Sequence, residues 1–270
     1  MIDHSMNQEN SVKGERLQVA LARVGLASRR GVVTLIESGK VTVNDKVVLE
    51  KGFRVDTSSD KITVDGKEIP AEISVEKRYF IFNKPKGVMT TLQDPHATRT
   101  IADFFKEVSA RLFPVGRLDR DTTGLIIMTN DGDLAFRLTH PKFGVKKRYH
   151  ARVVGIVSDI TVKHLEKGIE LEEGKTAPCE IKIENVMPAT KFEPALTDLF
   201  VTLHEGKKRQ IRRIFDKVGH RVLELERLSY GPISLGHMRF GEKRELKPFE
   251  VKQLEQATGM RKSSTAEEKG

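Results

Sequence analysis

The sequence predicts an α+β protein with a small N-terminal module and a larger body, in which helices flank a mixed, mainly antiparallel sheet. Two observations support this fold class. From residue 15 to about residue 70, two short helical patterns precede several short strand patterns. Farther along, β-branched segments and helical segments follow each other without regular alternation, which is typical of helices packed on an antiparallel sheet. The 270 residues are enough for one large domain with a small companion.

The N-terminal module starts with two predicted helices. Apolar residues at helical spacing predict a first helix that ends at Gly25, and Ser28 is placed to cap the second. A hairpin with an Asn44-Asp45 turn follows, and a second pair of strands flanks the turn dipeptide Asp65-Gly66. Together these elements predict a separate domain over residues 15–70.

The larger body is predicted over residues 79–254, after a linker at 71–78. Its strands are expected where apolar and β-branched residues cluster, at 79–82, 125–130, 149–157, 179–185 and 197–203. Its helices are expected near 100–110, 131–139, 159–167 and 208–218. The polar termini are predicted to be disordered tails over residues 1–14 and 255–270.

Basic residues outnumber acidic ones and concentrate in two runs. Lys and Arg total 47 against 38 Asp and Glu, which gives a net charge of +9. Residues 142–152 read KFGVKKRYHAR and residues 206–213 read GKKRQIRR, with no acid in either run. A solvated lysine-rich surface would explain one such run, but two runs that enclose aromatic and apolar positions favour a groove for a phosphate backbone.

Composition excludes several classes of protein. Cys179 is the single cysteine, so a disulfide framework and a cysteine zinc site are both ruled out, as expected in a reducing compartment. The histidines are too far apart for a local metal motif, and no two glycines are separated by one residue, which rules out a GxGxxG nucleotide motif. Because no apolar run could span a bilayer and no signal peptide pattern is present, the protein is expected to be cytoplasmic.

The candidate catalytic acids lie in a turn-rich segment that leads into a strongly apolar strand. Asp119 and Asp121 precede the apolar run Leu125–Met128, of which Leu125, Ile126 and Ile127 are assigned to the core. A carboxylate on a loop that is backed by a buried strand is held rigidly, as a nucleophile or a base requires. Spacing alone leaves both acids as candidates, and it favours a plain turn at Asp121, with Arg117 in a surface ion pair, over catalysis.

The N-terminal module resembles a known RNA-binding domain. The string RLQVALARVGLASRRGVVTLIESGKVTVNDKVV, residues 16–48, is similar to the S4 domain, whose helix pair and hairpin lie against structured RNA. Asp45 departs from the glycine that usually follows the asparagine in this family, although an Asn-Asp turn is still allowed. The resemblance implies four phosphate contacts, Arg29, Arg30, Lys40 and Lys46.

The body resembles the pseudouridine synthases in four motifs that occur in the family's order. GRLDRDTTGL at 116–125 resembles the active-site motif, whose catalytic aspartate follows Arg-Leu and corresponds to Asp119. The other motifs are represented by FNKPKGVMTT at 82–91, KKRYH at 146–150 and EGKKRQIRRIFDKVGH at 205–220. An S4 domain before this core is typical of the RsuA/RluB/RluF branch, which acts on ribosomal RNA, and the RluB type is slightly the more similar.

The resemblance implies roles for individual residues. Asp119 is implied as the nucleophile, Tyr149 as a residue that stacks on the target base and assists proton transfer, and Arg212 as the ion-pair partner of Asp119. No metal or cofactor is implied, because the isomerisation is redox-neutral and uses no cosubstrate. Basic residues in or near the motifs are implied to bind RNA, namely Lys84, Arg117, Arg120, Lys147, Lys207, Lys208, Arg209 and Arg213.

The two resemblances imply a site-specific pseudouridine synthase for ribosomal RNA, in 23S rather than 16S RNA. Its partner would be a structured stem-loop, in free RNA or in a pre-ribosomal particle, and the protein is expected to be monomeric. Acylal, Michael-addition and glycal routes all use the same aspartate and stay open. Two other classes are compatible with parts of the sequence: an RNA-binding scaffold, and a glycosidase that uses Asp119 and Asp121. Two carboxylates so close in sequence are poorly placed to flank one glycosidic bond.

Overall fold

The computed structural model describes residues 14–70, 76–92, 94 and 98–260. The chain divides into two compact units, one up to Glu76 and one from Lys77 onward. Residues 71–75 of the predicted linker lie outside the described residues, as do residues 1–13 and 261–270 of the two predicted tails.

In the N-terminal unit, two helices lie against short strands. The helices are α1 (Leu17–Arg23) and α2 (Arg29–Glu37), and the Ser28 side chain caps α2 by accepting a hydrogen bond from Gly31 N. The strands are β1 (Glu15–Arg16), β2 (Val41–Val43), β3 (Lys46–Val47), β4 (Arg54–Val55), β5 (Ile62–Val64) and β6 (Lys67–Ile69). β1 pairs with β4, and the other four form a sheet in the order β3-β2-β5-β6. In the turn between β2 and β3, Asn44 and Asp45 both have positive φ angles, 49° and 62°. Asp45 therefore adopts the left-handed conformation that the glycine usual at this position of the family would adopt.

The C-terminal unit is built on one large sheet. Its strands are β7 (Tyr79–Lys84), β8 (Phe113–Pro114), β9 (Thr123–Thr129), β10 (Lys147–Val154), β13 (Glu180–Met187), β14 (Leu196–Leu203), β15 (Val222–Tyr230), β16 (Ile233–Ser234) and β17 (Lys243–Glu245). A separate pair is formed by β11 (Glu170–Leu171) and β12 (Gly174–Lys175). The helices are α3 (Gly132–Thr139), α4 (Asp159–Glu166), α5 (Gln210–Lys217) and α6 (Pro248–Ala257), with 3-10 turns at Ile101–Phe104 and Pro141–Phe143.

The order of the large sheet is β13-β14-β10-β15-β9-β7-β17, with β16 beside β15 and β8 beside β9. The pairing of β15 with β9 is parallel and the other pairings are antiparallel. The structure therefore confirms the predicted α+β fold with a mixed, mainly antiparallel sheet. The parallel pairing places Glu226 opposite Thr123 and Arg227 opposite Gly124, at the point where the loop that carries Asp119 enters β9.

Both faces of the sheet are covered, which explains the unbroken apolar run in β9. Ile126 and Met128 belong to a core that includes residues of α4 and α5, whereas Leu125 and Ile127 belong to a core that includes residues of α3 and α6. All four side chains are fully buried. A strand that is buried on both sides reads as continuously apolar, without polar alternation.

The structure departs from the sequence predictions at three points. The helix expected near 100–110 is a single 3-10 turn, because the consecutive Phe104 and Phe105 rings both pack on Phe82, at 4.7 and 5.7 Å, an arrangement that a continuing helix does not provide. The body does not end at residue 254, because Leu254 is buried in the core and α6 continues to Ala257. β15 was missed altogether.

Candidate active site

The loop that carries Asp119 is held by backbone hydrogen bonds. Thr122 N donates to the Asp119 carbonyl at 3.1 Å, which closes a turn, and Gly87 N donates to the Arg120 carbonyl at 2.8 Å. The Thr90 hydroxyl donates to the Leu118 carbonyl at 2.7 Å. Asp119, with 35% of its side chain exposed, lines a cleft of about 560 Å³. The carboxylate is thus fixed at its backbone and open to a ligand.

Two arginines of the GKKRQIRR run lie close to this loop, but they pair with different aspartates than the resemblance implied. Arg212 Nη2 lies 3.3 Å from Asp121 Oδ2 and also donates to the Asp121 carbonyl at 3.2 Å. Arg209 Nη1 lies 3.1 Å from Asp121 Oδ1 and 4.0 Å from Asp119 Oδ2. The implied Arg212–Asp119 ion pair is therefore wrong: Arg212 pairs with Asp121, and Arg209 provides the cation beside Asp119.

The position of Arg212 has a structural cause. Its side chain is 8% exposed on α5, and its Nη1 donates to the Val222 carbonyl at 3.0 Å, so the guanidinium is fixed from both sides. Arg209 precedes α5 with φ of 50°, a conformation that non-glycine residues rarely adopt. Partial burial opposes ionisation of Asp121, but the Arg209 hydrogen bond and the Arg212 charge outweigh it and hold the pKa of Asp121 below its ordinary value.

Tyr149 lies in the same cleft, beside a buried arginine that sequence reasoning missed. Tyr149 on β10 is 9% exposed and is opposite Arg227 in the β10–β15 pairing. Arg227 is 2% exposed, donates from Nε to the Leu125 carbonyl at 2.6 Å and from Nη1 to the Tyr149 hydroxyl oxygen at 3.4 Å. Its carbon Cζ lies 5.0 Å from the centre of the Tyr230 ring, and its Nη2 has no acceptor among the described residues.

Only recognition of strand β15 in the sequence could have pointed to Arg227 as a cleft residue. In β15, Leu225 and Arg227 are two residues apart, so their side chains lie on one face of the strand, and both line the cleft. A charged residue at an inward position interrupts the apolar alternation by which a strand is recognised. Register shifts against β10 between Arg148 and Tyr149, and between Arg152 and Val153, further disturb the period of two.

Two lysines that were expected to bind RNA are buried within the fold. Lys84 is 0% exposed, and its Nζ donates to the carbonyls of Val88 at 2.8 Å and Pro85 at 3.1 Å. Lys147 is 7% exposed, and its Nζ donates to the carbonyls of Val145 and His204, both at 3.3 Å. Burial lowers the pKa of each to about 8. Lys84 is therefore not a phosphate contact but fixes the segment beside the Asp119 loop, while Lys147 lines the cleft wall as a buried cation.

The other predicted basic residues of this unit fall into three groups. Arg213 does not face the cleft, because Glu173 accepts from its Nη1 and Nη2, both at 2.6 Å. Arg120 is exposed next to Asp119 but is not a cleft-lining residue. The cleft is lined by Arg117, Lys207, Lys208 and Arg209.

In the N-terminal unit, the four implied phosphate contacts are exposed, namely Arg29, Arg30, Lys40 and Lys46. Lys40 lies 3.4 Å from Asp65, in an exposed ion pair that bound RNA could replace. Within the described part of the chain, no helix is long and apolar enough to cross a membrane, and no group of three or more acidic, histidine or cysteine side chains is arranged to hold a metal ion.

Comparison with known proteins identifies two families in the chain. The family described as RNA pseudouridylate synthase matches residues 78–217, and the S4 domain matches residues 15–62. The chain is 45% identical to a ribosomal large subunit pseudouridine synthase B from Bacillus subtilis (strain 168), over 89% of this chain and 95% of that protein. It is 41% identical to an uncharacterized RNA pseudouridine synthase from Aquifex aeolicus (strain VF5), over 91% of this chain and 96% of that protein. A crystal structure of a pseudouridylate synthase has a similar fold, with a TM-score of 0.63 and 28% identity over 89% of this chain and 99% of that one. These findings confirm both resemblances that the sequence motifs indicated.

Proposed function

The chain belongs to the RNA pseudouridylate synthase family, whose members are isomerases, and from this premise we propose that it converts one uridine of large-subunit ribosomal RNA into pseudouridine with Asp119 as its catalytic carboxylate. Relatives from Bacillus subtilis and Pseudomonas aeruginosa that carry the large-subunit name are 45% and 37% identical to it, which supports this choice of RNA. The proposal depends on one observation above all: Asp119 and Tyr149, distant in sequence, line one cleft together with several cations.

The reaction sets clear demands on the cleft. The N1–C1′ bond of the uridine breaks, the base turns, and a C5–C1′ bond forms, while C5 gives up a proton and N1 gains one. Atoms and electrons balance within the nucleotide, so the chemistry requires no cofactor. An ionised carboxylate is needed, either to attack the nucleotide or to stabilise the charge that develops when the glycosidic bond breaks. Asp119 is a carboxylate that lines the cleft, and the Arg209 Nη1 lies 4.0 Å from its Oδ2.

Tyr149 is placed to act on the base and the sugar. Its ring lines the cleft, where it can stack on the extruded uracil, and its hydroxyl oxygen accepts a hydrogen bond from Arg227. Because the oxygen is occupied as an acceptor, the phenolic proton is directed toward other acceptors, which suits a role in proton transfer. Arg227 thus acts on the reaction through Tyr149 as a positioning residue.

The cleft also has the character that an extruded nucleotide requires. A uridine within a stem-loop must leave its stack to reach Asp119, which costs on the order of a few kcal/mol. Arg117 and Lys208 line the same cleft with exposed side chains that can bind the flanking phosphates and offset this cost. Lys207 also lines the cleft, but its Nζ donates to the carbonyls of Gly174 at 2.7 Å and Lys175 at 2.8 Å.

The decisive experiment replaces Asp119 by Asn and follows pseudouridine in ribosomal RNA by carbodiimide labelling and primer extension. In cells without the gene, one large-subunit stop should disappear; the native gene should restore it, and Asp119→Asn should not. The purified variant should still bind the RNA fragment. Asp159→Asn, which changes an exposed carboxylate at the start of α4, is the matched control and should restore the stop.

The alternatives give different results in the same experiment. An RNA-binding scaffold would leave every stop unchanged when the gene is removed. A glycosidase that used Asp119 and Asp121 would release free uracil from the RNA, which chromatography would detect with the native protein. Either outcome would contradict the proposed function.

A further inference from the structure

A cluster of exposed and half-buried rings and cations lies beside the cleft and has no role in the chemistry described above. It consists of Phe136, Arg137, His140, Lys142 and Phe143, at the end of α3 and in the 3-10 turn that follows, and is called the aromatic–basic patch. The rings contact one another: the Phe136 centroid lies 5.1 Å from that of His140 and 6.2 Å from that of Phe143. Phe136 is 52% exposed.

Packing of the core does not explain why an aromatic residue stands at position 136. The residues that α3 buries are Leu134, Ala135 and Leu138, on the opposite side of the helix. Phe143 packs partly against the core, but Phe136 is not among the residues that do so. An exposed aromatic ring held by neighbouring rings is a preformed surface, since little side-chain freedom is left to lose when a planar ligand stacks on it.

Cations surround these rings. Lys142 Nζ lies 4.8 Å from the Phe143 centroid and 6.0 Å from the Phe136 centroid. Arg137 Cζ lies 5.2 Å from the Phe143 centroid, and its Nη1 donates to the Thr258 carbonyl at 3.2 Å, which anchors this arginine. Lys142 is exposed and is therefore the cation available to a phosphate.

The patch is continuous with the cleft. Thr139 and Pro141, which are interleaved in sequence with the patch residues, both line the cleft that holds Asp119. The His140 ring is oriented by its Nδ1, which accepts a hydrogen bond from Lys142 N at 3.2 Å. A ligand that extends out of the cleft on this side therefore meets Phe136 and Lys142.

We propose that the aromatic–basic patch binds an unpaired nucleotide next to the target uridine, with its base stacked on Phe136 and its phosphate beside Lys142. The inference rests on the proposed function, because it takes RNA as the substrate. Extrusion of the target uridine removes a stacking partner from its neighbour, and an aromatic ring beside the cleft replaces it. Aromatic rings interleaved with cations bind single-stranded bases with little sequence preference, so the patch would position the substrate and leave the choice of base to the cleft.

The test uses the full-length chain and a ribosomal RNA fragment that contains the mapped uridine. Phe136→Ala should raise the KM for RNA about tenfold while the rate at saturating RNA is retained, because the ring contributes to binding and not to bond breaking. Phe136→Leu keeps an apolar side chain of similar bulk and should give the same loss. Phe136→Tyr keeps the aromatic face and should restore native binding.

Phe192→Ala is the matched control. Phe192 is 87% exposed and lies 5.7 Å from the neighbouring Lys191 Nζ, an aromatic–cation pair that does not line the cleft. Its replacement should leave the KM unchanged. Lys142→Ala should weaken RNA binding and reduce its salt dependence by roughly the slope of one phosphate contact, about 0.7 to 0.9.

A direct reading of stacking separates this inference from the proposed function. RNA with 2-aminopurine on either side of the target uridine is bound by Asp119→Asn protein, and its fluorescence should be quenched in one of the two positions. The double variant Asp119→Asn, Phe136→Ala should not show this quenching. Two results would overturn the inference even if pseudouridine is formed. One is a KM for RNA that is the same in Phe136→Ala, Phe136→Leu and native protein. The other is quenching that persists when Phe136 is replaced by Ala. Because the fluorescence measurement needs no turnover, loss of the proposed activity would not decide it.

Discussion

At the scale of single residues, the two carboxylates of the GRLDRDTTGL motif have different neighbours. Asp119 lines the cleft and has Arg209 at 4.0 Å. Asp121 pairs with both Arg209, at 3.1 Å, and Arg212, at 3.3 Å. Since Arg209 contacts both acids, Asp121 fixes the cation that lies beside Asp119. Under the proposed function, the second aspartate is therefore a positioning residue, and the first is left open to the substrate.

Replacement of Asp121 by Asn should lower the rate of pseudouridine formation at saturating RNA by about tenfold or more, because a catalytic site is sensitive to small displacements of its charges. The loss should be smaller than that of Asp119→Asn, and single-turnover rates on the ribosomal RNA fragment would measure both. Equal loss in the two variants would contradict the division of roles.

The same variant carries a pH signature. The pKa of Asp121 is below its ordinary value of 3.8 in the folded state, so its ion pairs stabilise the fold at neutral pH, and this contribution is lost as the pH falls below 3.8 through the folded value. Urea unfolding should show native protein more stable than Asp121→Asn at pH 7, and the difference should shrink in acid. A difference that is independent of pH would show that the ion pairs do not stabilise the fold.

At the scale of elements, the site depends on one close approach between strands. Gly124, the second residue of β9, has φ of +100°, and a Cβ at this position would lie 2.4 Å from the Arg227 carbonyl oxygen and 2.6 Å from Arg227 N. The parallel contact of β9 with β15 therefore requires glycine. This contact brings the Asp119 loop, which leads into β9, next to β15, the strand that carries Arg227.

Gly124→Ala should destabilise the protein by roughly 3 kcal/mol or more, because strain at positive φ is added to a clash with backbone atoms. Gly174→Ala is a close control: Gly174 has φ of +95°, but a Cβ there would meet nothing within 4 Å. It should cost only the conformational strain, about 1 kcal/mol. Urea denaturation measures both, and equal losses would mean that the clash is relieved elsewhere in the sheet.

At the scale of the whole molecule, RNA contacts are implied in both units, whereas the proposed chemistry lies in the second. The S4 domain lies in the first unit and its implied RNA contacts, Arg29 and Arg30, are exposed, whereas the cleft is formed within the second unit. A net charge of +9 supports attraction to RNA over the whole surface. Substitutions in the first unit should therefore change the affinity for RNA and leave the rate at saturating RNA unchanged.

The double variant Arg29→Ala, Arg30→Ala should weaken RNA binding and lower the dependence of log K on log salt by about 0.7 to 0.9 for each phosphate that is no longer bound. The rate at saturating RNA should be unchanged, since neither residue lines the cleft. Titrations at several salt concentrations measure the slope, with Lys252→Ala, at an exposed position of α6, as the control. An unchanged slope would show that these arginines do not bind phosphate.

The sequence by itself determined the fold class, the two families and three of the segments that meet at the cleft, although not β15. Local signals sufficed for these: helix caps such as Ser28, turns such as Asn44-Asp45, and motifs that keep Asp119 and Tyr149 at recognisable positions. Charge on a side chain, however, does not reveal whether the side chain is buried. Lys84 was therefore predicted to bind phosphate, although its ammonium is enclosed by backbone carbonyls.

Only the tertiary structure decided which charges face each other. Arg212 pairs with Asp121 because α5 and the Asp119 loop meet at that point, and Arg227 reaches Tyr149 because β10 and β15 are neighbours in the sheet. Side-chain distances across strands depend on pairing and register between residues far apart in the chain, and no local pattern encodes these directly. The physical reason is that local sequence biases each segment toward its own conformation, whereas the relative placement of segments is fixed by the packing of the whole core.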